Sequence, residues 1–102
     1  MESKFGLNEN TINKLKSVFS KFPEIEEVIV YGSRAKGNYK NGSDIDVTLK
    51  GDLSLSTLLK IENDIEDLLL PYKVDLSLYS QIDSPSLKEH IERCGKNFEV
   101  LI

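Results

Sequence analysis

The sequence has few of the residues that mark disulfide-bonded proteins or proteins that coat nucleic acids. Its 102 residues include a single cysteine, Cys94, which excludes an internal disulfide and a cysteine-based metal site. Acidic residues number 17 against 13 lysines and arginines, so the formal net charge is −4. A chain of this charge has no overall positive field to attract a nucleic-acid backbone or an anionic membrane. We therefore expect neither a template nucleic acid nor a membrane among its partners.

Long apolar runs, glycine and proline are also scarce. No apolar run approaches the roughly 20 residues that a membrane-spanning helix needs, and residues 1–4 do not resemble the start of a secretory signal, so we expect a cytoplasmic protein. With 6 Gly, 3 Pro, 39% apolar and 29% charged residues, the composition is typical of a folded globular protein. The length predicts one domain over residues 1–102.

The spacing of apolar residues predicts helices and strands that alternate along the chain. Apolar residues recur every three or four positions in the predicted helices, and every second position in the second and third predicted strands. This order predicts an α/β (α+β) fold in which a mixed sheet of three to four strands packs against helices. The predicted elements are a helix at Asn8–Lys21, a strand at Glu27–Tyr31, a short helix at Ser33–Gly37, a strand at Asp44–Lys50, a helix from Ser54 or Ser56 to Leu70, a strand at Lys73–Tyr79, a helix from Ser84 towards Gly95, and a short last strand at Phe98–Ile102.

Three aspartates lie on the predicted strands. Asp44 and Asp46 are two residues apart, so their side chains leave one face of a strand with Cα atoms roughly 6.5–7 Å apart. Asp75 has the same placement on the third strand, opposite Val74 and Leu76. Carboxylates on neighbouring strands resemble a site for two divalent cations, and Mg²⁺ prefers oxygen ligands of this kind. The alternative is a solvated face at the edge of the sheet.

A glycine and a serine, Gly32 and Ser33, stand where the first predicted strand meets a short helix. Backbone N–H groups at such a junction can receive a phosphate, whereas the simpler reading is a tight turn with a capping serine. Arg34 either binds the phosphates in bidentate fashion or faces solvent, and for Lys36 we favour solvent. Ser43 either orients the aspartate that follows it or caps the turn.

These motifs together resemble the signature of the DNA polymerase beta nucleotidyltransferase superfamily, and the short length resembles its minimal nucleotidyltransferase branch. The resemblance implies a polymerase beta-like core that covers nearly the whole chain. The residues that carry it are Gly32-Ser33, Gly37, Asp44-x-Asp46 and the later Asp75.

The resemblance also implies a role for each motif. Gly32 and Ser33 would hold a nucleoside triphosphate, and Asp44 and Asp46 would bind two Mg²⁺ ions, for which Mn²⁺ can substitute. Asp75 would complete the metal site and help to deprotonate an acceptor hydroxyl. From residue chemistry, Arg34 and Ser43 join the predicted nucleotide-binding set, whereas His90, on a predicted helix beside Glu89, is interpreted as a surface residue without a role.

Members of the minimal branch often pair with small helical HEPN proteins, as the antitoxins of toxin–antitoxin systems. By this resemblance, we expect transfer of AMP from ATP to a hydroxyl of a HEPN toxin, with tyrosine as the favoured acceptor, in a homo- or hetero-oligomer. Two alternatives stay open. One is a non-catalytic binding module that neutralises a partner by masking it, and the other is a small-molecule nucleotidyltransferase like those that modify aminoglycosides.

Overall fold

The computed structural model describes residues 5–40 and 42–98, which form alternating helices and strands. The predicted mixed α/β fold is confirmed. None of the helices in these two ranges is long and apolar enough to cross a bilayer. The elements are α1 (Glu9–Phe19), β1 (Ile25–Tyr31), α2 (Ser33–Lys36), β2 (Ile45–Gly51), α3 (Leu55–Glu66), β3 (Val74–Leu78), a 3₁₀ turn (Tyr79–Gln81), α4 (Pro85–Cys94) and β4 (Lys96–Asn97).

The four strands form one mixed sheet in the order β3-β2-β1-β4. β1 pairs antiparallel with both β2 and β4, whereas β2 pairs in parallel with β3. A parallel pair needs a connection that returns along the sheet, and α3 provides it. Because β2 and β3 run in the same direction and β1 runs opposite, the starts of β2 and β3 meet the end of β1 at one edge of the molecule.

The hydrophobic core lies on one face of this sheet, beneath α1 and α3. Ile45, Val47 and Leu49 alternate along β2 and are at most 1% exposed. They pack with apolar residues of both helices, such as Leu15 and Ile61. The two-residue period of a strand therefore sends the intervening residues of β2 to the opposite face, as the sequence predicts.

The opposite face of the sheet is only partly covered. α4 packs against β1 on this side, with Ile91 buried and Gly95 lying against the Ile29 side chain. Thr48, in the middle of this face, is fully buried and donates a 3.4 Å hydrogen bond to the Ser77 carbonyl. The rest of the face, towards the starts of β2 and β3, carries the acidic side chains.

Side-chain caps begin three of the helices. The side chain of Asn8 accepts a 2.8 Å hydrogen bond from the Thr11 N–H at the start of α1. Ser54 caps α3 and Ser84 caps α4 in the same way, each accepting at 3.2 Å from the amide three residues later. Pro85 occupies the first turn of α4, where its missing N–H costs no helical bond. Each cap satisfies an amide that the helix leaves unpaired.

Several predicted boundaries are wrong by a few residues. α1 ends at Phe19 instead of Lys21, because the amides of Lys21 and Phe22 bond three residues back and tighten the chain into a turn. α3 ends at Glu66 instead of Leu70, and Pro71 does not terminate it. Leu69 adopts a left-handed φ of 55°, which takes the backbone out of the helix before the proline.

The strand boundaries also differ from the predictions. β1 begins at Ile25, two residues before the predicted Glu27, and its pairing with β2 contains an irregularity there. The last strand is Lys96–Asn97, whereas the predicted strand at Phe98–Ile102 lies almost wholly outside the described residues. Phe98 itself is not in a strand, although it is buried in the core.

Candidate active site

A row of polar side chains crosses three strands where β1 ends and β2 and β3 begin. Asp46 lies opposite Tyr31 in the antiparallel pair and opposite Asp75 in the parallel pair. Residues in register on neighbouring strands leave the same face of a sheet, so these three side chains lie side by side. Asp44 immediately precedes β2 at the same end. The structure therefore brings the three sequence-predicted aspartates to one region.

The electrostatics of this row are unfavourable for a carboxylate. Burial raises the pKa of Asp46 above its ordinary value, and the charges of Asp75 and then Asp44 raise it further, whereas His90 opposes the shift only in the protonated form of its imidazole. Asp46 is half-buried, whereas Asp44 and Asp75 are exposed. The fold thus disfavours the ionised form of Asp46, the central carboxylate of the row.

The arrangement of the three carboxylates does not amount to a closed metal centre. Within residues 5–40 and 42–98, no three aspartate, glutamate, histidine or cysteine side chains converge closely enough to hold an ion. The donor chemistry nevertheless fits a divalent cation such as Mg²⁺, because all three groups offer carboxylate oxygens. The raised pKa of Asp46 fits as well, since a bound cation would offset the repulsion from Asp75 and Asp44.

Gly32 connects the carboxylate row to α2. Its φ of 75° and ψ of −154° define a backbone conformation that favours glycine. A Cβ atom at this position would overlap the Asp46 carboxylate. Ser33 then begins α2, and its carbonyl accepts the Gly37 N–H at 2.9 Å. The predicted strand-to-helix junction is therefore present, with its backbone in direct contact with the central carboxylate.

Arg34 is buried, with only 3% of its surface exposed, so the solvent-facing alternative is wrong. Its guanidinium donates twice to the Ser43 carbonyl, at 2.8 and 3.1 Å, and once to the Phe5 carbonyl at 2.9 Å. The rings of Tyr39 and Tyr72 lie 5.1 and 4.8 Å from the guanidinium carbon. In this arrangement Arg34 contacts three other segments of the chain, and three of its N–H donations already go to carbonyl oxygens instead of pointing at a phosphate.

The turn before β2 is closed by Ser43. Its hydroxyl accepts the Lys40 N–H at 2.9 Å, and its carbonyl receives the Arg34 side chain. Of the two alternatives for Ser43, the structure thus shows the turn cap. Lys36 is exposed, as the favoured reading expects.

Two residues of this region, Tyr31 and His90, were not assigned to the site from the sequence, and both lie near Asp46. Tyr31 is half-buried, and its pKa is raised by burial, opposed by a hydrogen bond with Ser77, and raised further by Asp46 and Asp75. His90 accepts the Gly32 N–H through Nε2 at 3.2 Å. The sequence was interpreted to place His90 at the surface without a role, whereas the structure shows a half-buried side chain in contact with the glycine turn. Neither residue had a local signal, because β1 is buried at three consecutive positions before Tyr31 and His90 lies 58 residues from Gly32.

Comparison with known proteins agrees with this geometry. The model of the family described as polymerase beta, nucleotidyltransferase matches residues 13–98. Two proteins of Methanocaldococcus jannaschii, both provisionally named protein adenylyltransferases, are 32% identical over 83 residues and 30% identical over 91 residues. The alignments cover 79% and 80% of this chain, and 84% and 92% of the relatives.

Solved structures give the same result. A chain from a toxin–antitoxin complex with AMP-PNP superposes with a TM-score of 0.67 at 26% identity, covering 90% of this chain and 73% of that one. A chain from the complex of tri-AMPylated Shewanella oneidensis HEPN toxin with MNT antitoxin gives 0.65 at 18% identity, covering 90% and 71%, and supports the fold alone.

The fold, with carboxylates on adjacent strands beside a glycine turn, defines an enzyme of the nucleotidyltransferase class. The chain belongs to the polymerase beta nucleotidyltransferase family.

Proposed function

We propose that this protein is a Mg²⁺-dependent adenylyltransferase that transfers AMP from ATP to a hydroxyl group, with a tyrosine of a HEPN toxin as the acceptor. The proposal depends above all on one observation, the register that places Asp46 beside Asp75 and against Gly32. Modification of the toxin would silence it, so the protein would act as an antitoxin. We also propose that the protein is cytoplasmic, because the reaction needs ATP.

The carboxylates are proposed as the metal ligands. Asp44, Asp46 and Asp75 would hold two divalent cations, which supply charge neutralisation for the triphosphate and for the attacking oxygen. The mutual repulsion of these carboxylates supports this assignment, because the charges of Asp75 and Asp44 both raise the pKa of Asp46. Partial exposure of the row leaves it accessible to both nucleotide and acceptor.

The proposed reaction is an in-line displacement at the α-phosphorus of ATP. The acceptor oxygen forms a bond to that phosphorus, while the bond to the oxygen that bridges to the β-phosphorus breaks and pyrophosphate leaves. The hydroxyl proton passes to the Asp75 carboxylate and from there to solvent, so no covalent enzyme intermediate forms. Such chemistry depends on positioning and charge neutralisation more than on a nucleophilic side chain.

The nucleotide-binding set divides into two groups. Gly32 and Ser33 are proposed to contact the triphosphate, because their backbone lies against the central carboxylate at the start of α2. Arg34 and Ser43 are proposed to act indirectly. Their hydrogen bonds hold the turn that delivers Asp44 to the site, so they position the loop instead of contacting phosphate.

The choice of acceptor is supported by the relatives. Proteins at least 30% identical carry the name protein adenylyltransferase, and a structure at 26% identity is a toxin–antitoxin complex with AMP-PNP. The HEPN class of the partner rests on the resemblance of the sequence to the minimal branch. AMP-PNP in that complex also favours an adenine nucleotide as the donor.

The test is intact-mass spectrometry of the protein incubated with ATP, Mg²⁺ and a HEPN partner encoded by a neighbouring gene. We expect the partner to gain one or more AMP units, and we expect Asp46→Asn to abolish the gain. Asp52→Asn, an exposed acid just after β2, is the matched control and should leave transfer intact. Loss of transfer in both variants would contradict the assignment of Asp46.

The masking module is the second candidate, since the solved complexes favour binding to a partner as much as they favour transfer. The double variant Asp44→Asn, Asp46→Asn separates the two. The masking module would replace the enzymatic proposal if two results are found together. The double variant would still protect against the toxin, and the wild-type protein would add no AMP to its partner. Protection that disappears while complex formation persists would support transfer.

A further inference from the structure

The side chain of His90 reaches from α4 to the first residue of the glycine turn. Its Nε2 atom accepts the Gly32 N–H at 3.2 Å, although the two residues are 58 positions apart. An accepting Nε2 carries no proton, so the imidazole in this arrangement is neutral and its proton is on Nδ1. The Nε2 lone pair is occupied by the amide, and this geometry does not leave it free to act as a base towards a substrate.

A second contact fixes the ring beside the carboxylate row. The His90 imidazole lies edge-on to the Tyr31 ring, with centroids 6.2 Å apart and an interplanar angle of 77°. Such edge-to-face pairs are favourable beyond their buried area. His90 therefore contacts both residues of the Tyr31–Gly32 junction, one through its ring and the other through its backbone.

The orientation of this junction matters because of what lies next to it. A Cβ atom on Gly32 would overlap the Asp46 carboxylate, so the glycine backbone and Asp46 are in close contact. Rotation of the Tyr31–Gly32 peptide would change the separation between the turn and the central carboxylate. The hydrogen bond from His90 restrains that rotation, and α4, which starts more than fifty residues later, supplies the restraint.

We propose that His90 is a positioning residue that fixes the Tyr31–Gly32 peptide so that the turn is in place for the triphosphate of a nucleotide. The inference concerns the nucleotide site and for its catalytic consequence rests on the proposed function. The bond is retained when nucleotide binds, because the turn has to keep its orientation against Asp46 throughout. The expected result of losing it is weaker nucleotide binding without unfolding.

Two amide substitutions that differ by one methylene test the reach of the acceptor. In His90→Gln the side-chain oxygen is as far from the Cα atom, in bonds, as Nε2 is, whereas in His90→Asn it is one bond short. We expect the asparagine variant to raise the dissociation constant for AMP-PNP, and the KM for ATP, by roughly two- to tenfold, the value of one lost hydrogen bond. The glutamine variant should recover most of this loss, and kcat should change less than KM.

The Gly32 amide gives a readout that does not depend on catalysis. Hydrogen exchange at this amide, followed by NMR, should be slow in the wild type, faster in His90→Asn and intermediate in His90→Gln. Glu89→Gln, the exposed neighbour on α4, is the control and should match the wild type in exchange and binding. Melting temperatures of all variants establish whether each one is folded.

Direct observation in the unaltered protein protects the test against a variant that fails to fold. Scalar coupling between the Gly32 nitrogen and the His90 Nε2 nitrogen, across their hydrogen bond, should be measurable both without nucleotide and with AMP-PNP. Equal nucleotide affinity and equal Gly32 amide exchange in the glutamine and asparagine variants would overturn the proposal. Disappearance of the coupling when nucleotide binds would overturn it as well. If the wild type transfers no AMP to any partner, the proposed function fails, while exchange, coupling and nucleotide affinity still decide the role of His90.

Discussion

Two charged regions flank the glycine turn, and the fold treats them in opposite ways. On one side, the Arg34 cation is buried, with carbonyl acceptors and two aromatic faces around it. On the other side, Asp46 stands among like charges, and its pKa is raised by burial and by Asp75. The paired charge of Arg34 therefore holds the local structure together, whereas the like-charged surroundings of Asp46 fit the divalent cation that we propose there.

The largest expected effect comes from removal of the paired charge of Arg34. Arg34→Met should destabilise the protein by about 3 kcal/mol, because the carbonyls of Phe5 and Ser43 lose their donor in the interior and two cation–π contacts are lost. Thermal unfolding should show the melting temperature fall by roughly 10–20 °C. Lys36→Met, on the same short helix but exposed, should change stability by no more than about 0.5 kcal/mol. If Arg34→Met lowers the free energy of unfolding by less than about 1 kcal/mol, the buried charge does not hold the local structure together.

Addition of a cation should produce an effect of intermediate size. At 10 mM Mg²⁺ the melting temperature of the wild type should rise by about 5 °C, since binding at a millimolar dissociation constant stabilises the folded state by roughly 1.4 kcal/mol. Asp46→Asn and Asp75→Asn should each remove most of the rise, while Asp52→Asn should keep it. Calcium- and magnesium-free buffer with a chelator gives the baseline. An equal rise in all four proteins would show that the cation acts elsewhere.

The smallest expected effect is a stabilisation by Asp46→Asn, opposite in sign to the effect of Arg34→Met. A carboxyl group with a pKa raised by folding binds its proton more tightly in the folded state, so stability falls as pH increases through the interval between the unfolded and folded pKa values. Without metal, Asp46→Asn should therefore be more stable than the wild type at neutral pH, by about 2–5 °C in melting temperature. The advantage should disappear as the pH falls well below about 4, where the wild-type carboxyl is protonated in both states.

A pH series of melting curves in chelator measures this difference, with Asp52→Asn as the control that should show no comparable gain. Asp46→Asn that is less stable than the wild type at neutral pH would mean that the carboxylate is compensated after all. Opposite signs for Arg34→Met and Asp46→Asn would sharpen the comparison in the most direct way, because both substitutions remove one charge near the same turn.

The strands and their faces could be predicted from the sequence because the information is local. Alternation places Ile45, Val47 and Leu49 in the core and therefore Asp46 on the other face. The same rule applies to Asp75, between Val74 and Leu76. The register between the two strands had no such local signal, since it depends on how α3 returns the chain to the start of β3.

The contacts of Arg34 and His90 could not be predicted for a different reason. The partners of Arg34 come from Phe5, Tyr39, Ser43 and Tyr72, and no short window of sequence contains that pocket. A histidine on an amphipathic helix looks alike whether it faces solvent or a neighbouring strand. The early end of α3 also depends on backbone geometry, because a leucine in a left-handed conformation has no compositional mark.

The parallel register between β2 and β3 determines both the packing of the core and the pairing of Asp46 with Asp75. A shift of β3 by one residue would turn Asp75 into the core and Leu76 out to solvent, so burial itself selects against that misalignment. A shift by two residues would preserve the faces but set Ser77 beside Asp46 in place of a carboxylate. The segment between α3 and β3 can thus change in length among variants, whereas insertions or deletions within Val74–Leu78 would cost assembly of the acidic row together with the fit of the core.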